Sequence, residues 1–375
     1  MIYIGMDVHK DSCYITAIDA EGKTIDEKEI KTEDIDNLIK ILDKESKIAM
    51  ESSTASKPLY HLMKEQGFDV LMAHPSGLRV IAESSQKTDR TDSFHLANLL
   101  RMNYLPCSYV PDEKYELMRN ICRYRVSLGQ KTTRIKNEVH ALLTRNNIRL
   151  KQSDIFGTGG LEELKSLQLN KIDTLLLKSY LDELIYLMDK AKYVQDVMAE
   201  QAKDMPEVKL LMTIPGIDFY SAMTIIGEIG DITRFPNPKK LVSYAGLAPR
   251  LKESGNLSLQ GRISKKGSRT LRWILISAAH SVIRCKKGNN KLRKFYNHLK
   301  KRGKSKQVAA VAVAKKLLTI IYTMLTNGTE YECEDKLLTI RKLGRMKARA
   351  TPVQIISCVN EIDELKEKIN LIGGT

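Results

Sequence analysis

The chain has 375 residues, 42% hydrophobic and 28% charged, a mix that excludes a disordered polymer and leaves room for two or three packed domains. Lys and Arg number 61 against 45 Asp and Glu, a formal +16 that points to a polyanionic partner, meaning nucleic acid or an anionic membrane. Six scattered cysteines, with no close pair of metal-ligand spacing, argue against a zinc ribbon or disulfide scaffold and suit a reducing cytoplasm.

A strand directly follows Met1, so no signal peptide is expected. Ile2, Ile4, Met6 and Val8 alternate with Tyr3, Gly5 and Asp7, which is the period of a strand. An acid near the end of an apolar strand is costly to bury unless something pairs with it, so Asp7 belongs at a rim, on a cation, or both. Cys13–Asp19 and Thr24–Ile30, joined at Glu21-Gly22-Lys23, predict two further strands of a meander. A helix is expected around residues 33–43, then a short strand over Lys47–Met50 that delivers Glu51 at its end. Helix 56–66, strand 68–72 and a helix starting near Asp89 complete the order β-β-β-α-β-α-β-α, a mixed α/β sheet. A right-handed crossover then lays the fourth strand parallel to the first and puts Asp7 beside Glu51.

Lys87-Thr88-Asp89-Arg90-Thr91-Asp92 adds two acids three residues apart, which on a helix share a face with Cβ atoms about 5–6 Å apart. Asp89 and Asp92 alone also suit a helix cap, and Glu51 alone a surface position. Together, Asp7, Glu51, Asp89 and Asp92 offer an oxygen-rich site for Mg²⁺, as phosphodiester chemistry requires.

The segments Gly5-Met6-Asp7-Val8-His9-Lys10, Met50-Glu51-Ser52-Ser53-Thr54 and 87–92 resemble the three motifs of an RNase H-like, RuvC-like domain. Specifically, they resemble the domain that opens the DEDD transposases of bacterial insertion sequences. That resemblance does not need His9 as a ligand, which leaves it facing solvent or near substrate.

Pro106 and Pro111 mark the exit from this region. Leu117, Ile121, Tyr124, Leu128, Ile135, Val139 and Leu142 form one heptad-like run, and Leu177, Leu181, Leu184, Met188, Ala191 and Met198 a second. They predict two long helices, paired within the chain or with another subunit. The basic residues Arg119, Arg123, Arg125, Lys131, Arg134 and Lys136 suit either a solvated face or a nucleic-acid contact.

Helix, Ile214-Pro215-Gly216-Ile217 and helix resemble a helix-hairpin-helix. Asp218, where that hairpin usually has its second glycine, disfavours a phosphate grip and favours a packing role. From Arg250 to Arg272 there are seven basic residues and one acid, interleaved with glycine and serine. Small residues let a backbone approach phosphates, so this stretch reads as a hydroxyl-rich loop, with an apolar helix following over 271–283. Arg284 to Lys306 holds eleven more Lys and Arg and no acid, which favours nucleic acid. The apolar run Val308 to Leu325 is interrupted by Lys315 and Lys316 and is not read as membrane-spanning. Residues 331–375 read as a tail with a closing amphipathic helix.

The pattern Gly246-Leu247-Ala248-Pro249-Arg250, Ser254-Gly255, then Gly261-Arg262-Ile263-Ser264-Lys265-Lys266-Gly267 and Leu271-Arg272 resembles the second domain of the same transposases. The resemblance covers roughly residues 1–330. It implies that Ser254 is the recombination nucleophile. Read without it, Ser254 is a turn serine, equal to Ser258, Ser264 and Ser268.

With the tail (331–375) mostly outside it, the family comparison implies an RNase H-like DEDD domain (1–110), a helical coiled-coil linker (111–205) and a mostly helical serine-bearing transposase domain (206–330). It implies a site-specific recombinase guided by a structured RNA made from its own element, acting on donor and target DNA without a membrane. It also implies homodimers that join into tetramers on the bacterial nucleoid, with Asp7, Glu51, Asp89 and Asp92 on Mg²⁺ and a covalent phosphoserine–DNA intermediate. Arg250, Arg262, Lys265, Lys266, Arg269 and Arg272 would neutralise phosphates. The rival readings are a hydrolytic, structure-selective nuclease and a non-catalytic nucleic-acid scaffold.

Overall fold

The computed structural model describes residues 1–75, 77–78, 88–254, 257–285 and 290–350; of residues 36, 38, 41, 251–254 and 257–260 it describes the backbone. The chain divides into two compact units, Met1–Val110 and Pro111–Thr375.

The first unit is a mixed five-stranded sheet. Its strands are β1 (Tyr3–Val8), β2 (Ser12–Ile18), β3 (Thr24–Lys31), β4 (Lys47–Glu51) and β5 (Asp69–Ala73), in the order β3-β2-β1-β4-β5. β1 runs antiparallel to β2 and parallel to β4, as the alternation and crossover predict. Its helices are α1 (Ile35–Ile41), α2 (Ser56–Glu65) and α3 (Asp89–Arg101). Ile4, Met6, Ile48, Met50, Val70 and Met72 form its buried centre, because β1, β4 and β5 are covered by neighbouring elements.

Gly5 fixes where α3 lies. A Cβ on Gly5 would sit 1.9 Å from the Ser93 carbonyl oxygen and 2.7 Å from the Ala97 nitrogen, so the α3 backbone rests directly on β1 at this point. A buried Ser93–Thr16 hydroxyl bond of 2.7 Å ties the same turn of α3 to β2.

The second unit is mostly helical. Its long helices are α4 (Glu113–Arg145) and α6 (Lys171–Ala202), joined through α5 (Thr158–Lys165). At the end of α4, Arg145 and Asn146 bond the buried Asp173 at the start of α6, so the pair runs antiparallel. The expected heptads hold in the distal half, where Ile135, Val139 and Leu142 meet Leu177, Leu181 and Leu184 in one core. They fail near the start of α4. There Leu117 and Tyr124 are exposed, and Met118, Cys122 and Val126 are buried instead. On α6, likewise, Met188 is exposed and Leu187 buried. The first half of α4 packs on a different partner, α8 (Phe219–Ile229), which turns its buried face by one residue.

α7 (Pro206–Met212) and α8 form the expected hairpin, with Gly216 at φ +87°. A Cβ at Gly216 would lie 2.8 Å from the Val282 nitrogen, which supports the packing role. Asp218 caps α8 by accepting from the Ser221 amide at 2.8 Å. After α9 (Pro238–Tyr244), the stretch expected as a loop is a two-stranded antiparallel ribbon, β6 (Pro249–Ser254) and β7 (Leu257–Ile263). Leu251, Leu257 and Leu259 alternate with polar residues on either side of a two-residue spacer, a hairpin signal that the glycine and serine content obscures.

α10 (Arg269–Arg284), α11 (Lys291–Lys301) and α12 (Lys306–Asn327) follow. By length and composition α12 is able to cross a membrane, but Ala310, Val313, Leu317, Leu318 and Ile321 are buried in the unit. The segment expected as a tail is in part integral. α13 (Lys336–Arg349) buries Thr339, Lys342 and Met346. Lys342 Nζ donates to the carbonyls of Ile214 (2.9 Å) and Ile217 (3.0 Å) and to that of Met212, tying the α7–α8 hairpin to α13. Residues 351–375 and the cysteine at 358 lie outside the described residues.

Candidate active site and nucleic-acid interface

The acids meet where β1 and β4 end. The parallel register pairs Met6 with Met50, so the next residue of each strand, Asp7 and Glu51, is an acid at the same level. Ser56 Oγ donates to the Glu51 carbonyl at 2.7 Å and fixes the exit of β4. α3 begins beside them. Its N-cap is Thr88, whose hydroxyl accepts from the Thr91 amide at 3.2 Å, so neither Asp89 nor Asp92 is spent as a cap. Lys87, the first residue of that motif, lies outside the described residues.

Asp7 is buried, and its carboxyl is pushed above the usual range, first by burial and then by the charges of Asp89, Asp92 and Glu51. Only His9 acts in the opposite sense among these influences. His9 is not a ligand that the family resemblance requires. Its Nε2 stands 3.4 Å from Asp7 Oδ2 and 3.4 Å from Asp89 Oδ1, and the three residues offer ligand atoms within 4.8 Å of one another. Mutually repelling carboxylates around a buried member are a donor set that suits a hard divalent cation. Next to them, burial and the charge of Asp7 push the Cys13 thiol up to about 12, so it is no nucleophile.

The basic motif of the second unit is built from backbone fit. Gly246 (φ +68°) and Gly267 (φ +95°) face the segments opposite: Cβ atoms there would lie 2.4 Å from the Lys266 carbonyl and 2.0 Å from the Tyr244 carbonyl. The Ser264 amide donates to Ala248 at 2.8 Å and the Ser268 amide to Tyr244 at 3.2 Å. The bend holds Lys265 at φ +56°, a conformation that a lysine rarely adopts. Arg262, Lys265, Lys266 and Arg269 are exposed. Arg250 donates to the Ser264 carbonyl at 3.3 Å, and Arg272 is half-buried against the Ala245 carbonyl at 3.2 Å, bracing the motif.

The motif is tied down by Glu228, a fully buried carboxylate on α8. Arg123 binds it in a fork at 2.7 and 3.1 Å, and Ser268 donates to it at 2.7 Å while capping α10. Arg119 donates to the carbonyls of Gly227 and Glu228 at 3.0 and 3.2 Å. Two members of the expected basic face of α4 are therefore struts to α8, Arg119 buried and Arg123 half in water. A third, Arg134, pairs with Glu138 at 3.0 Å. Ser254 ends β6 opposite Leu257, and Gly255 lies outside the described residues.

Comparison with known proteins adds two family matches. A profile for the DEDD transposases of the IS110 type matches residues 4–148, and one described as Transposase IS116/IS110/IS902 family matches residues 208–297. The chain is 24% identical over 341 residues to the transposase for insertion sequence element IS1111A of Coxiella burnetii, covering 88% of this chain and 91% of that protein. It is 23% identical over 333 residues to the transposase for insertion sequence element IS1328 of Yersinia enterocolitica, covering 88% and 98%. The pilin gene-inverting protein of Moraxella bovis is 32% identical over 165 residues, 42% of this chain and 51% of that protein.

Proposed function

The chain belongs to the IS116/IS110/IS902 family of transposases, enzymes that cut and rejoin DNA, and from that premise we propose a serine-based recombinase of an insertion sequence. The supporting observation is the meeting of Asp7, Glu51, Asp89 and Asp92 at the ends of β1 and β4, each of the other three raising the Asp7 carboxyl. The sheet order β3-β2-β1-β4-β5 agrees with an RNase H-like, RuvC-like domain over residues 1–110. Residues 111–205 then act as a coiled-coil linker and 206–330 as the serine-bearing domain.

Asp7, Glu51, Asp89 and Asp92 would hold Mg²⁺. A bound divalent cation neutralises charge on the scissile phosphate and the departing oxygen. Ser254 Oγ attacks phosphorus and gives its proton to solvent. The P–O3′ bond breaks, the departing 3′ oxygen takes a proton, and the 5′ phosphate stays on the serine. A 3′ hydroxyl from the partner strand then attacks the phosphoserine and releases Ser254, so the phosphodiester is conserved without ATP. Arg250, Arg262, Lys265, Lys266, Arg269 and Arg272 bind phosphates or brace the loop that does. A structured RNA from the element pairs with donor and target, and dimers join into a tetramer in which the serine of one subunit serves the acids of another.

Ser254→Ala tests the chemistry on supercoiled donor and target DNA. The proposal expects loss of both cleavage and protein-linked DNA; cleavage that survives without the linkage would instead establish the hydrolytic nuclease. RNA guidance is checked separately, by sequencing RNA that co-purifies with the protein from cells carrying the element. A discrete transcript of that element supports guidance, and its absence removes it.

A further inference from the structure

Helices α4, α8 and α10 of the second unit enclose an open groove of about 490 Å³ that the chemistry above does not use. This lies within the roughly 300–1,000 Å³ of small-ligand sites. One wall is Trp273, the only tryptophan of the chain, 44% exposed on α10. Another is Tyr220 on α8, with the Arg125 guanidinium 5.3 Å from its ring centre. Gln130 and Thr133 bring an amide and a hydroxyl to the rim from α4.

Two details point to a ligand rather than to packing. First, Gly129 lies deep inside a 33-residue helix, where glycine costs about 1 kcal/mol against alanine. A Cβ there would meet only Arg125 Nη1, at an ordinary 3.5 Å, so no neighbour requires glycine; what its absence of side chain leaves is room in the groove. Second, Arg125 Nε is buried without a hydrogen-bond partner, and its guanidinium lies against the face of Tyr220. The nearby acid Asp218 is already engaged as the α8 cap. The groove thus offers flat aromatic faces, the planar Arg125 guanidinium against the Tyr220 ring, and polar edges. Arg269 stands one turn before Trp273 on α10 and is exposed, giving a flanking phosphate a partner.

We infer that this groove takes an unpaired nucleobase of a single-stranded nucleic acid, stacked on Trp273 and held against Arg125 and Tyr220. Bases inside a duplex have no free faces, so the groove discriminates single strands from duplex. The inference rests on the nucleic-acid reading above but not on the acids or Ser254.

The lone tryptophan is its own reporter. Full-length protein is titrated with a 12-nucleotide single-stranded RNA, the same sequence as DNA, and the duplex DNA, reading Trp273 emission and the anisotropy of labelled strands. Both single strands are chosen because a stacking groove accepts either; whichever quenches more strongly identifies the source. Expected are quenching by single strands and none by duplex. Gly129→Leu fills the groove while improving helix propensity, and should weaken single-strand binding about tenfold with duplex binding unchanged. Trp273→Ala should lose a similar factor. Duplex binding with Trp273 emission indifferent to single strands, or a Gly129→Leu protein that binds them like wild type, overturns the groove alone. Binding of no nucleic acid at all overturns both the groove and the reading on which it rests.

Discussion

Residues 1–110 hold 13 Lys and Arg against 18 Asp and Glu, whereas residues 111–375 hold 48 against 27. The basic excess of the whole chain therefore belongs entirely to the second unit. The first unit concentrates negative charge around Asp7, which suits a cation and repels a bare phosphate backbone. The second has exposed arginines and lysines on a bend fixed by backbone fit, which suits DNA but offers no acid cluster among the described residues. The two charge distributions differ, so the proposed grip and the proposed metal site are separable by mutation.

The largest expected effect is on catalysis. Asp7→Asn or Asp92→Asn should cut strand cleavage by about a thousandfold or more, with DNA affinity nearly unchanged. Gel-shift and cleavage assays on the same preparations check this, and equal loss of both would erase the division of labour. Next is the strut beneath the basic motif. Glu228→Ala leaves Arg123 and Ser268 without their shared acceptor and should destabilise the second unit by about 2–3 kcal/mol, less than a fully buried pair because Arg123 keeps part of its surface in water. Urea unfolding measures it, and DNA affinity should fall as well. Lys342→Met strands the carbonyls of Met212, Ile214 and Ile217 and should cost about 2 kcal/mol by the same assay. Burial holds the Lys342 amine down at about 8, so it remains mainly charged at pH 7.

Two smaller effects sharpen the contrast. Replacing Arg262 and Lys266 by alanine should flatten the log–log salt dependence of duplex binding by about 1.8, while exposed lysines of the first unit should leave it alone. In the first unit, burial and then like charges raise the Asp7 carboxyl above its unfolded value. Stability from that group is present at low pH and is lost as pH rises through the folded value. Asp7→Asn should therefore raise the melting temperature of metal-free protein at pH 7 by a few degrees and abolish the further rise on adding Mg²⁺.

The first unit was legible because its signals are local. Period-two alternation and one crossover rule bring Asp7 and Glu51 level, and Thr88 starts α3 where Asp89 and Asp92 need it. The place of His9 was not legible, since its closeness to Asp89 depends on α3 resting on Gly5. In the second unit the decisive contacts span long separations. Arg119 and Arg123 look like a solvated basic face until Glu228, more than a hundred residues away, draws them onto α8. Nothing near Lys342 announces that it will bind three carbonyls of a hairpin over 120 residues earlier. The β6–β7 ribbon was readable from its alternating leucines but was hidden by its glycine and serine content.

The central proposal is that Asp7, Glu51, Asp89 and Asp92 serve a phosphodiester that Ser254 attacks. Its most direct test is to trap protein–DNA adduct with divalent metal present, digest it with trypsin and fragment the DNA-linked peptide. The account predicts a nucleotide remnant on Ser254 within residues 253–262, absent when Asp7 is changed to Asn. A remnant on Ser258 or any other residue, or cleaved DNA with no adduct, would contradict it.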